Sequence, residues 1–179
     1  MRRLVALIAA LGVAMACFAA TRAGGGLWLD VPYVRQPKAG CGAACIAMVI
    51  AYWRRNDPRF HAQPPDVGAI QHALYLPRVR GIAAADMESY LRRHGMRVFA
   101  FRGDWNLLRE HLLQGRPLIV CLREGSDLHY VVVAGLDAAN NVILVNDPAA
   151  RKLEPLSRSA FERKWRARND WTLLALPQP

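Results

Sequence analysis

Cys41 opens the apolar run Cys41-Gly42-Ala43-Ala44-Cys45-Ile46, and Gln36 stands five positions before it. A thiol at a helix N-terminus feels the positive end of the peptide dipoles, which favours thiolate, the form that attacks carbonyl carbon. A glutamine just upstream can donate a hydrogen bond to the oxyanion that such an attack creates. The Cys41 backbone N–H, which lacks an intrahelical partner at a helix start, would be the second donor. Downstream, Leu128-His129-Tyr130-Val131 supplies an imidazole and Val145-Asn146-Asp147-Pro148 a carboxylate. His129 would take the thiol proton and return it to a leaving amine, while Asp147 would orient the imidazole through its far nitrogen. Together the four residues point to a cysteine hydrolase.

Each residue also has a plainer reading. Cysteine is among the most buried residue types, so Cys41 could be structural; against that, Gly40 and Gly42 would let a substrate backbone come close. Gln36 could be a surface loop residue, and Asn146-Asp147-Pro148 is a turn signal as well as a carboxylate source. His129 begins the most apolar strand of the chain, where an imidazole is costly without a partner, and a thiolate would be one. The other histidines, His61, His72, His94 and His111, fall on polar loops or helix faces and are expected to be solvated. Cys45, one helical turn after Cys41, reads as a small core hydrophobe, and so does Cys121 on an apolar strand. A Cys41-Cys45 redox or metal pair is the alternative, but zinc wants four ligands and only His129 obviously adds to the two thiols. No metal and no cofactor are expected.

The elements that must position these groups follow from periodicity. Trp28 to Tyr33 is extended, with Pro32 arguing against a central strand. From Cys41 to about Arg54 the chain is apolar on every side, the mark of a core helix, and Asn56-Asp57-Pro58 ends it. Shorter helices are expected over Asp66 to about Leu76, over Ala84 to His94 with Gly95 closing it, and from an Asp104 cap to Gln114 with Gly115 behind it. Strands are expected at Arg97–Phe101, Pro117–Leu122, Leu128–Leu136, Val142–Asn146 and Trp171–Leu176, with a turn at Ala138-Ala139-Asn140-Asn141. Ser159-Ala160-Phe161-Glu162 fits a capping box for a last helix through Arg166. Helices early and antiparallel strands late make an α+β order, with the Cys41 helix packed on a C-terminal sheet.

At 179 residues, with 53% hydrophobic and 21% charged residues, one domain with a buried core is expected. The formal net charge is +10; Arg2, Arg3 and Arg22 fall in the first 23 residues, which hold no acid, so the remainder carries 21 basic against 14 acidic residues. That balance favours anionic partners such as acidic peptides, membrane headgroups or cell-wall polymers. The basic residues are scattered and form no aromatic-interleaved stripe, so nucleic acid is not an expected partner. Residues 1–23 read as an export signal, with Arg2-Arg3, an apolar stretch from Leu4 to Ala20, and cleavage near Ala23 before Gly24-Gly25-Gly26. Ala14-Met15-Ala16-Cys17 loosely resembles a lipobox, which would leave a lipid-anchored protein beginning at Cys17; an uncleaved anchor is a third option, short for a bilayer. The domain itself is expected over residues 27–179, exported to a periplasm or beyond and monomeric. Loss of Cys17 would leave three cysteines, so at least one thiol stays free.

These segments together resemble the C39 peptidases, a papain-like cysteine peptidase family best known as the N-terminal domain of bacteriocin-exporting transporters. The resemblance is carried by Gln36, Cys41-Gly42-Ala43-Ala44-Cys45, Gly115-Arg116-Pro117-Leu118-Ile119-Val120, Leu128 to Val133, Asn146-Asp147-Pro148, the Phe161 to Trp165 stretch and Trp171 to Leu176. It implies a papain-like fold, a Cys41, His129 and Asp147 triad with Gln36 in the oxyanion hole, and a peptide or protein substrate. The interval from glutamine to cysteine is five here and six in the transporter-linked members, which cut double-glycine leader peptides. No Walker-type phosphate loop is present. Other cysteine acyl-transfer chemistry on cell-wall peptides, or a binding module on the same fold, are the alternatives.

Overall fold

The computed structural model describes residues 21–23 and 26–179; residues 1–20 of the expected signal segment, Cys17 among them, lie outside the described residues, while its last three, Thr21–Ala23, form a strand. Among the described residues, five α-helices and eight strands follow one another as β1 (Thr21–Ala23), β2 (Gly26–Trp28), α1 (Cys41–Asn56), α2 (Val67–Leu74), α3 (Ala84–Arg93), β3 (Met96–Arg102), α4 (Trp105–Leu113), β4 (Leu118–Glu124), β5 (Asp127–Asp137), β6 (Val142–Asn146), β7 (Glu154–Ser157), α5 (Arg158–Arg166) and β8 (Trp171–Pro177). Every strand pairing is antiparallel, in the order β1-β2-β5-β4-β8-β3, with β6 between β5 and β7. This is the α+β arrangement expected from the element order.

Helix α1 is the centre of the core. Eleven of its residues, from Gly42 to Ile50 together with Tyr52 and Trp53, are buried. Its few polar atoms are satisfied: the Tyr52 hydroxyl donates to the Gly115 carbonyl at 2.8 Å and the Trp53 indole N–H to the Ala175 carbonyl at 2.9 Å. Arg54 and Arg55 sit in its last turn, where cations oppose the negative end of the dipole. α1 packs against β5, β8, α2 and α3, and α5 packs against β4, β6 and β7.

β5 is the longest strand and joins the parts of the sheet. Its first half pairs with β4 (Leu122 opposite His129, Leu118 opposite Val133), and its second half with β6 and with β2. The register with β6 shifts between Val133 and Gly135. A Cβ on Gly135 would meet the Leu27 carbonyl oxygen and the Trp28 Cβ at 2.8 Å each, so glycine is what lets β2 come this close.

Two expectations need correction. The capping serine of α5 is Ser157, whose hydroxyl accepts from the Ala160 N–H at 3.3 Å, and the helix starts at Arg158. The Ser159 pattern misleads because β7, unrecognised in the sequence, pairs with β6 up to Ser157 and hands the chain directly to the helix. His94 and His111 are also half-buried: His94 stacks on Tyr90 at 3.9 Å between ring centroids, and His111 packs on Phe101.

Candidate active site

Cys41 is the first residue of α1. A turn precedes it, closed by the Gly40 N–H donating to the Pro37 carbonyl at 2.9 Å, with Ala39 in the left-handed region at φ 55°. Gly40 occupies the N-cap position without a side-chain cap, so no capping side chain takes up the first-turn N–H groups. The glycines beside Cys41 serve packing rather than substrate approach. A Cβ on Gly40 would strike the Pro37 ring at 2.6 Å, and one on Gly42 would press on Ile82 at 3.1 Å and Met87 at 3.3 Å.

The register of the sheet brings the carboxylate to the imidazole. Asn146, the last residue of β6, lies opposite Val132. Side chains alternate along a strand, so position 147 falls on the face shared by residues 131 and 129. The result is a hydrogen bond of 2.7 Å between His129 Nε2 and Asp147 Oδ1, with side-chain exposures of only 13% and 21%. The Ala149 N–H donates to the same Oδ1 at 2.8 Å. With Nε2 engaged, Nδ1 is the ring nitrogen left for the thiol.

Asp147 is held from several sides, by Asn146 and Tyr33, which the sequence did not single out, and through the backbone of Gln36. Asn146 is wholly buried; its amide donates to the Val31 carbonyl at 3.1 Å and its oxygen accepts from the Leu153 N–H at 3.0 Å. The Tyr33 hydroxyl donates to the Asp147 carbonyl at 3.2 Å, and the Gln36 N–H to the Pro148 carbonyl at 3.0 Å. One loop thus fixes both the candidate orienting carboxylate and the candidate oxyanion donor. An asparagine directly before the aspartate, ending an apolar strand, was the available signal for Asn146.

Electrostatically the three groups act on one another. Burial pushes the Cys41 thiol up, but the His129 hydrogen bond, the N–H groups of Tyr130 and Gly42 and the imidazole charge together bring it below its ordinary 9.0. Burial pushes His129 down, yet the hydrogen bonds to Asp147 and Cys41 and both negative charges outweigh it and lift the imidazole to about 9. Burial likewise pushes Asp147 up, and His129 with the Ala149 and Ala150 amides brings it net below 3.8. These directions favour a thiolate beside an imidazolium. By contrast burial, with the nearby Cys41, raises Cys45 well above an ordinary thiol, and burial likewise raises Cys121. Both are free, buried thiols, as their apolar settings implied.

Cys41 and Gln36 line one cleft of about 340 Å³, whose walls include Lys38, Ala39, Tyr75, Val79, Arg80, Asp127 and Leu128. The Gln36 side-chain oxygen is buried without a hydrogen-bond partner. A larger hollow of about 430 Å³, lined by Arg102, Trp105, Arg158 and Asp170 among others, holds no nucleophile, and its Arg102 and Arg158 already pair with Asp170 and Glu162. Among the described residues no group of three or more His, Cys, Asp or Glu could hold a metal ion, and no helix is long and apolar enough to cross a membrane.

The fold is shared with known peptidase domains. The peptidase domain of Streptococcus ComA, a bifunctional ABC transporter involved in quorum sensing, is 20% identical, with a TM-score of 0.66 over 83% of this chain and 100% of that one. A double glycine motif protease from an AMS/PCAT transporter, solved in complex with the leader peptide, is 20% identical, with a TM-score of 0.61 over 84% of this chain and 94% of that one. No curated protein matches the chain at a significant level. Residues 28–172, which hold all four candidate site residues, match the family model, and the chain belongs to the Peptidase_C39 like family.

Proposed function

We propose that the protein is a cysteine peptidase that cleaves peptide bonds through a thioester at Cys41. The thiolate attacks the scissile carbonyl; Gln36 and the Cys41 N–H donate to the oxyanion; His129 protonates the leaving amine and then activates the water that hydrolyses the thioester. Asp147 keeps the imidazole oriented and favours its charged form. The observation that carries this reading is the 2.7 Å His129–Asp147 hydrogen bond beside a helix-start thiol whose pKa the same imidazole lowers. A peptide substrate is supported by the neighbouring protease solved with its leader peptide. The test is turnover of a broad peptide library, read by mass spectrometry, for the wild type and Cys41→Ala. Cleavage by the wild type alone is expected; equal cleavage by both would refute the nucleophile.

A further inference from the structure

The walls of the Cys41 cleft belong to two different segments. One carries Tyr75, Val79 and Arg80, and the other Asp127 and Leu128 at the start of β5. The first is a short excursion closed at its base by the Leu76–Gly81 bridge, in which the Leu76 N–H donates to the Gly81 carbonyl at 2.8 Å. Its 3-10 turn, Pro77–Val79, buries no residue. Beyond the bridge, Ile82 is buried and packs on Gly42 in the first turn of α1, so the excursion stands directly on the cysteine-bearing helix. Three of the five large apolar side chains exposed among the described residues, Tyr75, Val79 and Leu128, face this cleft.

Arg80 ties the two walls together. Its guanidinium pairs with Asp127 across the cleft. Its backbone lies in the left-handed region at φ 50°, which an L side chain rarely adopts. Strain of this kind persists where surrounding structure holds it and gathers at ligand clamps. Both side chains are largely exposed, at 73% and 61%, so the tie is weak and salt-sensitive rather than a fixed part of the core.

We propose that Arg80 and Asp127 are specificity-determining residues that fasten the 75–81 excursion to the β5 wall and so set the width of the cleft leading to Cys41. Fastened, the cleft admits slim, extended peptide; unfastened, it admits bulky side chains that rest on Tyr75, Val79 and Leu128. This rests on the cysteine-peptidase reading for its consequence, but the tie itself can be read without turnover.

The full chain is alkylated with iodoacetamide and with a maleimide carried on dextran, and the Cys41 adduct is quantified by peptide mapping. Arg80→Ala and Asp127→Ala should each raise the bulky-to-small rate ratio by about two- to fivefold, the range open to one exposed ion pair. Salt at about 0.5 M should do the same to the wild type. The exchanged pair, Arg80→Asp with Asp127→Arg, should return the ratio towards wild type. An unchanged ratio in both single variants, or an exchanged pair as open as the singles, overturns the tie. Preference for peptides with large over small residues at the scissile bond should rise by the same factor, and an unchanged preference overturns the specificity role. An altered alkylation ratio without any peptide turnover would instead sink the peptidase reading and leave the tie standing.

Discussion

Cys41, His129 and Asp147 set one another's charge state. Burial alone would make Cys41 a poor nucleophile and His129 a neutral base; the His129 hydrogen bond reverses the first, and Asp147 together with Cys41 reverses the second. The ion pair should exist from the lowered thiol pKa up to about 9, where the imidazolium loses its proton. Activity is expected to fall on either side of that window. The linkage sign follows: a pKa raised from 6.5 stabilises the fold fully below 6.5, and the contribution is lost as pH rises through about 9. The role proposed for Gln36 belongs to the same scale by a different route, since it needs to move no proton. Gln36→Ala should lower kcat by roughly 10²–10³, the usual loss for one oxyanion donor. A fall under about tenfold in steady-state kinetics would remove it from the oxyanion hole.

Elements, rather than single side chains, decide where Asp147 ends up. Asn146 ties the end of β6 to the extended Val31 segment and to Leu153, and both contacts are buried or half-buried. Asn146→Ala would leave the Val31 carbonyl and the Leu153 N–H without partners, at a cost of about 2 kcal/mol in stability. Denaturant unfolding should show that loss, and kcat should drop although Asn146 touches no reacting group; wild-type values in both would contradict the positioning role. Much at this level could be read from the chain. The all-round apolar run after Cys41 marked α1, Asp104 and Gly115 bracketed α4, and β-branched runs marked β4, β5 and β6. Short elements were not legible. β7 is four residues with a proline in it, stabilised by pairing with β6 and not by its own pattern. β2 is three residues that depend on the gap at Gly135. The glycines beside Cys41 were misread for a related reason: a missing Cβ looks the same in sequence whether substrate or a proline ring fills the space.

At the scale of the whole molecule, the candidate site is a seam. α1 brings the cysteine from the helical first part, and β5 with the loop after β6 brings the imidazole and carboxylate from the sheet. β2 pairs with β5 on one edge and with β1 on the other, so loss of β1 would leave β2 its pairing with β5. We propose that residues 1–23 are removed on export, in keeping with the basic start and apolar stretch of that segment. Mass spectrometry of the protein from an expressing bacterium should find an N-terminus at Gly24, or a lipid-bearing Cys17; an intact Met1 would contradict both. The seam itself is tested most directly by the rate of Cys41 alkylation with iodoacetamide as a function of pH. In the wild type the rate should reach its plateau through a midpoint below 9.0, and His129→Ala should move that midpoint up to 9.0 or beyond. A wild-type thiol that titrates at or above 9.0, indifferent to the loss of His129, would contradict the account.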